Sequence, residues 1–246
     1  MSRVAVVVGG ASGLGEAISE KLSDDGFFVV VADIDVDGAA LVAGRISGVA
    51  VEVDVRDDAA VAAMVDRAAD FGPLRTLVLS AAVETRAPLL ETTDEAWREV
   101  IDTNLKGPFL CLRHAVPRMV EAGGGSVIAL GSTLGMIVAP SYPAYSASKF
   151  ALTNLCKQVA IEHAPDDIRV NVVAPSATEV GLFARVAEAT DDPEGIKAFV
   201  AGNVPMGRLG TAKDVTALVA FLASDQSSYL SGAVIPLDGG MAARRL

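Results

Sequence analysis

Residues 4–15 read Val4-Ala5-Val6-Val7-Val8-Gly9-Gly10-Ala11-Ser12-Gly13-Leu14-Gly15, an apolar run that passes into a glycine-rich turn. Five apolar residues in succession are typical of a parallel strand covered on both faces. A helical pattern follows over 13–25. Glycines let the backbone approach a diphosphate, and the free N–H groups and dipole of the new helix attract it. Such turns also occur in ordinary loops, but a position between the first strand and a helix favours a dinucleotide site.

Short apolar runs and helix-length segments alternate along the rest of the chain. Strands are predicted at 3–8, 27–33, 49–54, 75–81, 125–131, 168–174 and 232–236. Helical patterns between them include 13–25, 57–72, 92–121 and 144–163. This alternation predicts an α/β fold, a Rossmann-like doubly wound parallel sheet of about seven strands in three α/β/α layers. We expect one domain over 1–246, with the least regular segment, 176–205, as a substrate lid.

Composition and charge exclude several classes of function. The 246 residues carry a net charge of −11, which disfavours nucleic acid and anionic membranes as partners because both would repel the protein. The apolar runs are far shorter than the ~20 residues of a membrane span, and no signal-peptide pattern is seen, so we expect a cytoplasmic protein. The two cysteines and two histidines do not cluster, so no metal site is predicted.

Two acidic residues follow predicted strands near the glycine turn. Asp33 ends the second strand, 18 residues after Gly15. A carboxylate there accepts hydrogen bonds from both hydroxyls of an adenosine ribose and repels a 2′-phosphate, which favours NAD over NADP. A solvated aspartate at the end of a strand is the alternative. Asp54-Val55, after the third strand, could face the adenine edge, although an ordinary turn aspartate fits the sequence equally well.

The stretch Tyr145-Ser146-Ala147-Ser148-Lys149 begins a helix, with Pro143 in its first turn. A spacing of four puts the phenol and the ammonium on one helix face, one turn apart. Free tyrosine has a pKa of about 10, and a nearby cation favours the phenolate. A tyrosine tuned in this way can exchange a proton with an alcohol while hydride moves to or from a nicotinamide. Because the same spacing is common on helix surfaces, the pair alone does not establish a site.

Together these motifs resemble the short-chain dehydrogenase/reductase family, and the resemblance covers essentially the whole chain. The family's glycine pattern GxxxGxG matches Gly9, Gly13 and Gly15, and its YxxxK pattern matches Tyr145 and Lys149. Segments 205–210 and 231–240 are similar to the family's closing segments. The resemblance implies hydride transfer between NAD(H) and a carbonyl/alcohol pair.

The resemblance also implies four catalytic residues. Tyr145 would be the general acid/base, and Lys149 would bind the nicotinamide ribose and lower the pKa of Tyr145. Ser132, which lies 13 residues before Tyr145, would hydrogen-bond the substrate oxygen and stabilise the developing oxyanion. Asn104, in an N-x-x-G context, would hold a water that links Lys149 to solvent.

The cofactor contacts implied by the resemblance are spread over the predicted strand ends. They are Gly9, Ser12, Gly13, Leu14, Gly15, Asp33, Ile34, Asp54, Val55, Ser80, Ala81, Ala82, Tyr145, Lys149, Pro175, Ser176 and Thr178. The chain departs from the family pattern where Val8 replaces threonine, where Leu79-Ser80-Ala81-Ala82 replaces Asn-Asn-Ala-Gly, and where Ser176 replaces glycine. None of these changes removes a proton-transfer group, so we expect the chemistry to survive and the cofactor contacts at 80–82 and 176–178 to differ.

Three segments, 83–90, 133–142 and the lid, should surround the reacting carbon. Their apolar side chains predict a hydrophobic ketone or secondary alcohol as the small-molecule substrate: Leu134, Met136, Ile137, Val138, Tyr142, Leu182, Phe183 and Val186. Interspersed polar residues are Glu84, Arg86, Glu179 and Arg185. The apolar residues could equally serve to pack the lid against the body.

Two other functions fit parts of the sequence. A reductase of 3-oxoacyl thioesters of acyl carrier protein or coenzyme A is disfavoured by Asp33 and by the acidic charge, since acyl carrier protein is itself acidic. A non-catalytic NAD-binding regulator would not need the four implied catalytic residues. Helices 92–121 and 144–163 carry surplus apolar residues: Phe109, Leu110, Leu112, Ala151, Leu152 and Leu155. The resemblance implies that these helices pair across subunits, which predicts a homotetramer, with a dimer as the alternative.

Overall fold

The fold is built on one seven-stranded sheet, seen in a computed structural model that describes residues 3–243. The strands are β1 (Val4–Val8), β2 (Phe28–Asp33), β3 (Gly48–Glu52), β4 (Leu74–Leu79), β5 (Gly125–Leu130), β6 (Ile168–Pro175) and β7 (Val234–Leu237). All neighbours are parallel, in the order β3-β2-β1-β4-β5-β6-β7. The predicted Rossmann-like doubly wound sheet is confirmed, and each strand lies within a few residues of its predicted position.

Strand β1 shows why the sheet must be covered on both sides. Val4, Val6 and Val8 belong to the core on one face, and Ala5 and Val7 belong to the core on the other. Successive side chains of a strand point to opposite faces, so this unbroken apolar run supplies both cores at once. Full burial of one such valine stabilises the fold by roughly 1.5–3 kcal/mol.

Helices cover both faces, as the three-layer arrangement requires. They are α1 (Gly13–Asp24), α2 (Val36–Arg45), α3 (Asp58–Ala69), α4 (Asp94–Ile101), α5 (Gly107–Glu121), α6 (Pro143–Glu162), α7 (Leu182–Glu188), α8 (Pro193–Asn203) and α9 (Ala212–Ala223). Helices α1, α2 and α9 contribute to one core, and α3, α5 and α6 contribute to the other.

Several helices begin at side chains that accept hydrogen bonds from otherwise unpaired backbone N–H groups. The Asp35 carboxylate accepts from Gly38 N at 3.0 Å at the start of α2. Thr211 and Asp214 form a reciprocal capping box at the start of α9. Each such cap is worth about 0.5–2 kcal/mol.

The predicted continuous helix over 92–121 is wrong, because the structure divides it. Helix α4 ends at Ile101, residues Asp102–Lys106 form a π-helical turn, and α5 begins at Gly107. The Gly107 N–H bonds the Asp102 carbonyl, the i to i+5 spacing of a π-helix. The buried Asn104 lies in this turn.

The expected lid, 176–205, contains two short helices, α7 and α8. Helix α8 has no buried residue, and Ala187 is the buried residue of α7. Phe199 of α8 is exposed. This segment is therefore attached to the body by few apolar contacts, in contrast to the helices on the two sheet faces.

Cys111 and Cys156 are both buried and unpaired, and burial raises the pKa of each thiol to about 12. Between residues 3 and 243, no three side chains of metal-ligating type are grouped to hold a metal ion. The same part of the chain contains no helix with the length and hydropathy to cross a bilayer.

Candidate active site

A cleft of about 680 Å³ opens at the carboxyl ends of the strands, where the strand order reverses between β1 and β4. Most of the predicted site residues line it: Gly9, Ser12, Leu14, Gly15, Asp33, Ile34, Asp54, Val55, Ser80, Ala81, Ala82, Ser132, Tyr145, Lys149, Pro175, Ser176 and Thr178. Two predicted site residues, Gly13 and Asn104, do not line the cleft.

The glycine turn keeps its shape through close backbone contacts. Gly9 and Gly13 have positive φ angles of 81° and 59°. A Cβ atom on Gly15 would collide with the carbonyl oxygen of Gly9, and one on Gly9 would collide with the backbone of Ala81. Since α1 begins at Gly13, its unpaired N–H groups lie at this turn, which is the geometry that binds an anion at a helix N-terminus.

Gly13 packs against the segment that leads into the lid instead of facing the cleft. A Cβ atom on Gly13 would lie 2.9 Å from the Cα of Gly181. The Thr178 hydroxyl donates to the Val180 carbonyl at 2.7 Å, and Thr178 forms a short bridge with Gly210. Residues 178–181 are thus held next to the glycine turn by these contacts.

Asp33 connects the end of β2 to the glycine turn. Its carboxylate accepts hydrogen bonds from the backbone N–H of Ala11 at 3.0 Å and of Asp35 at 3.0 Å. Asp54 lies beyond the end of β3 and forms an ion pair with Arg56 at 2.6 Å, which lowers the pKa of the Asp54 carboxyl. Both carboxylates line the cleft, and Asp54 has its charge partly neutralised there.

The departures from the family pattern near β4 are accommodated by backbone contacts. The N–H groups of Ser80 and Ala81 both donate to the Val8 carbonyl, at 2.9 and 2.8 Å. Val8 itself is 1% exposed and belongs to the core. Main-chain hydrogen bonds therefore join the end of β1, where the glycine turn begins, to the segment after β4, at a place where the family pattern has side-chain amides.

Tyr145 lies in the first turns of α6, almost fully buried and in a small apolar cluster with Val100 and Ala144. Burial raises the pKa of its phenol, and the negative charge of Glu84 raises it further. A side-chain hydrogen bond with Ser132 acts in the opposite direction. The Ser132 hydroxyl also accepts from Leu134 N at 3.1 Å, so Ser132 is held in place by the turn that follows β5.

Burial and Glu84 contribute most to raising the pKa of Tyr145 in the structure, and Lys149 is not among the groups that lower it. The Lys149 ammonium lies 5.6 Å from the centre of the Tyr145 ring and donates to the Leu130 carbonyl at 2.8 Å. Lys149 is itself completely buried, which lowers its own pKa to about 8. Desolvation therefore dominates both groups, and the tyrosine is held in its neutral form at neutral pH.

Asn104 acts behind the cleft, between the π-helical turn and two neighbouring segments. Its Oδ1 accepts from Val83 N at 2.9 Å, and its Nδ2 donates to the Val83 carbonyl at 2.8 Å and to the Ser148 hydroxyl at 3.2 Å. Ser148 in turn donates to the Tyr145 carbonyl at 2.7 Å. Asn104 thus connects the loop after β4 with the helix that carries Tyr145.

The opposite end of the cleft is mostly apolar, and six of the eight apolar residues predicted for it line it: Leu134, Ile137, Val138, Tyr142, Leu182 and Phe183. Met136 and Val186 do not line it. Of the four predicted polar residues, Glu84 and Arg185 line the cleft, whereas Arg86 and Glu179 do not.

Comparison with known proteins adds independent information. A family model described as enoyl-(acyl carrier protein) reductase matches residues 9–242. Cis-4-hydroxycyclohexanecarboxylate dehydrogenase of Sinomonas cyclohexanicum is 40% identical over 248 residues, covering 98% of this chain and 97% of the relative. The structure of a short-chain type dehydrogenase/reductase from Mycobacterium ulcerans superposes with a TM-score of 0.91 at 29% identity, covering 100% of this chain and 92% of the other.

The chain belongs to the short-chain dehydrogenase/reductase family. Another relative, the 3-oxoacyl-[acyl-carrier-protein] reductase of Staphylococcus aureus, is 33% identical over 248 residues and covers 98% of both chains. The chain is thus a short-chain dehydrogenase/reductase that acts on alcohol or ketone substrates. The family's fold indicates a nicotinamide cofactor, and the glycine turn fits one, because Gly9 and Gly15 line the cleft where the unpaired N–H groups of α1 begin.

Sequence reasoning missed several groups that hold the site of this short-chain dehydrogenase/reductase together. The Leu130 carbonyl, which binds Lys149, carries no sequence signal because it is a backbone group. Ser148 lies inside the recognised YxxxK stretch, three residues after Tyr145, and that spacing could have identified it. Val200, within the predicted lid, and Met241 also line the cleft, although neither was predicted as a site residue.

Proposed function

We propose that this chain transfers hydride between NAD(H) and a hydrophobic secondary alcohol or ketone, with Tyr145 as general acid/base. The observation that carries the proposal is the buried Tyr145 phenol, hydrogen-bonded to Ser132 beside the buried Lys149 at an apolar cleft. The relative from Sinomonas cyclohexanicum is named for a hydroxylated six-membered ring. A cyclic secondary alcohol or ketone is therefore a good first substrate.

The cofactor would be held by the glycine turn and by Asp33. When bound, the nicotinamide accepts or supplies the hydride. Gly9 and Gly15 let the turn pack closely on its own backbone beside the cleft, and the N-terminus of α1 would bind the diphosphate. Asp33 would accept hydrogen bonds from the adenosine ribose and repel a 2′-phosphate, which is the basis for NAD over NADP.

Proton transfer would occur at the Tyr145 hydroxyl. Because burial and Glu84 raise the pKa of the phenol, Tyr145 is protonated at neutral pH and ready to donate to a carbonyl oxygen. Ser132 would hydrogen-bond the same oxygen as negative charge develops on it. In the oxidative direction, Tyr145 must give up its proton first, so alcohol oxidation should accelerate as the pH rises.

Two further residues would support the tyrosine. Lys149, with its pKa lowered to about 8, can lose and regain a proton near neutral pH. We propose that it binds the nicotinamide ribose and passes protons toward solvent. Asn104 would fix the relative positions of the loop after β4 and of α6 through Val83 and Ser148. Residues 176–205 would close over the cleft as the lid.

The decisive experiment compares initial rates with NADH and NADPH on cyclic ketones. We expect a preference for NADH, and loss of turnover in Tyr145→Phe with NADH binding retained. The matched control is Tyr229→Phe, since Tyr229 is fully exposed and does not line the cleft. A strong preference for NADPH would overturn the role of Asp33, and near-normal turnover in Tyr145→Phe would overturn the mechanism.

A thioester reductase is the second candidate, because the matching family model is described by an acyl-carrier-protein activity and a relative reduces 3-oxoacyl thioesters. The net charge of −11 disfavours an acidic carrier protein as partner. The same rate assay with 3-oxoacyl thioesters separates the two candidates. A higher kcat/KM for the thioester than for cyclic ketones would favour the second.

We also propose a homotetramer. Leu110, Leu112 and Leu152, predicted as surplus apolar residues, are buried in the core, so they do not argue for it. Phe109 of α5 and Phe150 and Ile161 of α6 are exposed, and large exposed apolar residues on two helices of one sheet face favour subunit contact. Light scattering at micromolar concentration tests this, and a monomer mass would refute it.

A further inference from the structure

In the proposed mechanism Glu84 raises the pKa of Tyr145, but no contact with the substrate has been assigned to it. It lies in the loop after β4 and lines the cleft together with Tyr142 and Tyr145. Its side chain is partly buried, and its charge raises the pKa of both tyrosines, so it lies near the reacting atoms. A carboxylate in this position has a large influence on what the pocket accepts.

The Glu84 carboxylate is poorly satisfied within the described residues 3–243. It makes no hydrogen bond and no ion pair with them, and burial raises its pKa. The charged groups that face it are Arg185, Arg86 and Lys149, which favour its ionised form from a distance. An acceptor that has lost part of its water without gaining a donor leaves a favourable place for a donor on a ligand.

We propose that Glu84 accepts a hydrogen bond from a second hydroxyl of the substrate, so that this enzyme prefers diols and hydroxyketones over alcohols and ketones with one oxygen. The proposal rests on the proposed hydride transfer at Tyr145. It changes the expected substrate from a purely apolar molecule to one with an apolar body and a second hydroxyl near the reacting carbon.

The charges around Glu84 favour a neutral donor. An ammonium group on the substrate would meet Arg185 and Lys149 as well as Glu84, and those cations would repel it. A substrate carboxylate could approach Arg185, but Glu84 would then repel it at the same end of the cleft. A hydroxyl donates to the carboxylate without adding a charge, and such charge-assisted hydrogen bonds are the stronger kind.

The test is a substrate series that differs by one group: cyclohexanol, 1,2-cyclohexanediol, 2-aminocyclohexanol and 4-hydroxycyclohexanecarboxylate, each oxidised with NAD and with NADP. We expect the wild type to prefer the diol over cyclohexanol in kcat/KM by about tenfold or more. Glu84→Leu should bring that ratio close to one while still oxidising cyclohexanol. Glu84→Gln, which keeps the shape and a carbonyl acceptor, should retain part of the preference.

Glu179→Gln is the matched control, because it removes the same charge from a lid residue that does not line the cleft. Its ratio should equal that of the wild type. Equal rates for the diol and cyclohexanol in the wild type would overturn the proposal without any variant, and so would a preference that survives in Glu84→Leu. A preference for 4-hydroxycyclohexanecarboxylate or for 2-aminocyclohexanol would show that the pocket selects a charged group, and it would also overturn the proposal. If no alcohol is oxidised with either cofactor, the proposed function is refuted, and the inference about Glu84, which rests on it, is refuted as well.

Discussion

Removal of the Asn104 carboxamide should weaken both the fold and the reaction. Asn104 is fully buried: its Oδ1 accepts from the Val83 N–H, and its Nδ2 donates to the Val83 carbonyl and to the Ser148 hydroxyl. In Asn104→Ala, two main-chain groups of Val83 lose their side-chain partner. Each unsatisfied buried group costs about 1–3 kcal/mol, so the free energy of unfolding should fall by about 2–6 kcal/mol.

Asn171 provides a matched control with the same chemistry at another place. It is also fully buried, donates to the Leu230 carbonyl at 2.8 Å and accepts from Ala233 N at 3.1 Å. Asn171→Ala should therefore cost a similar free energy of unfolding. Because Asn171 lies in β6 and has no contact with the Tyr145 helix through these bonds, it should leave turnover by the folded protein unchanged.

The assay combines urea unfolding with initial rates measured where both variants are fully folded. We expect similar stability losses, with kcat reduced by about tenfold or more in Asn104→Ala, since a small misplacement of reacting groups is costly in rate. A stability loss below about 0.5 kcal/mol would show that the hydrogen bonds of Asn104 are replaced by water. Equal kcat values for the two variants would show that Asn104 has no positioning role.

Three further outcomes are expected. The buried Lys149 ammonium binds its proton more weakly than the same group in the unfolded chain, so the wild type should become more stable as the pH rises from about 8 to 10.5. Lys149→Met should lack this gain. The free energies of unfolding of the two proteins, measured across that range, should differ in their change by about 3 kcal/mol. Gly15→Ala should lower the free energy of unfolding by about 1–3 kcal/mol and weaken NADH binding in a fluorescence titration, because its Cβ collides with Gly9. The control Gly44→Ala, in α2, should do neither, because the space around Gly44 is open. Asp33→Asn should narrow the ratio of rates with NADH and NADPH, and an unchanged ratio would show that another group selects the cofactor.

The sheet was predictable because each strand corresponds to a short, continuous apolar run in the sequence. Runs such as Val4–Val8 and Phe28–Asp33 are apolar on both faces, and the only place for such strands is the middle of a covered parallel sheet. The π-helical turn at Asp102–Lys106 was not predictable, because its residues have no local preference for it. It depends on Asn104 meeting Val83, a contact 21 residues away in sequence.

The site was predictable in its residue types but not in its electrostatics. Tyr145, Lys149 and Ser132 follow from spacing and family resemblance. The direction of the pKa shift of Tyr145 does not, since it depends on how completely α6 is buried and on the proximity of Glu84. A helical spacing of four predicts that two side chains share a face, but it does not say whether water or protein surrounds them.

The π-helical turn also makes the geometry of the active site depend on the number of residues between α4 and α5. Each residue of an α-helix rotates the chain by about 100°, so one additional residue resets the angular phase between α4 and α5. With that phase, Val100 meets the Tyr145 cluster while Leu110 and Cys111 meet the sheet. Deletion of a single residue from 102–106 would turn one of these faces away from its partner. Substitutions in this turn can therefore leave both contacts in place, whereas a change in its length would separate either α4 from the Tyr145 cluster or α5 from the sheet.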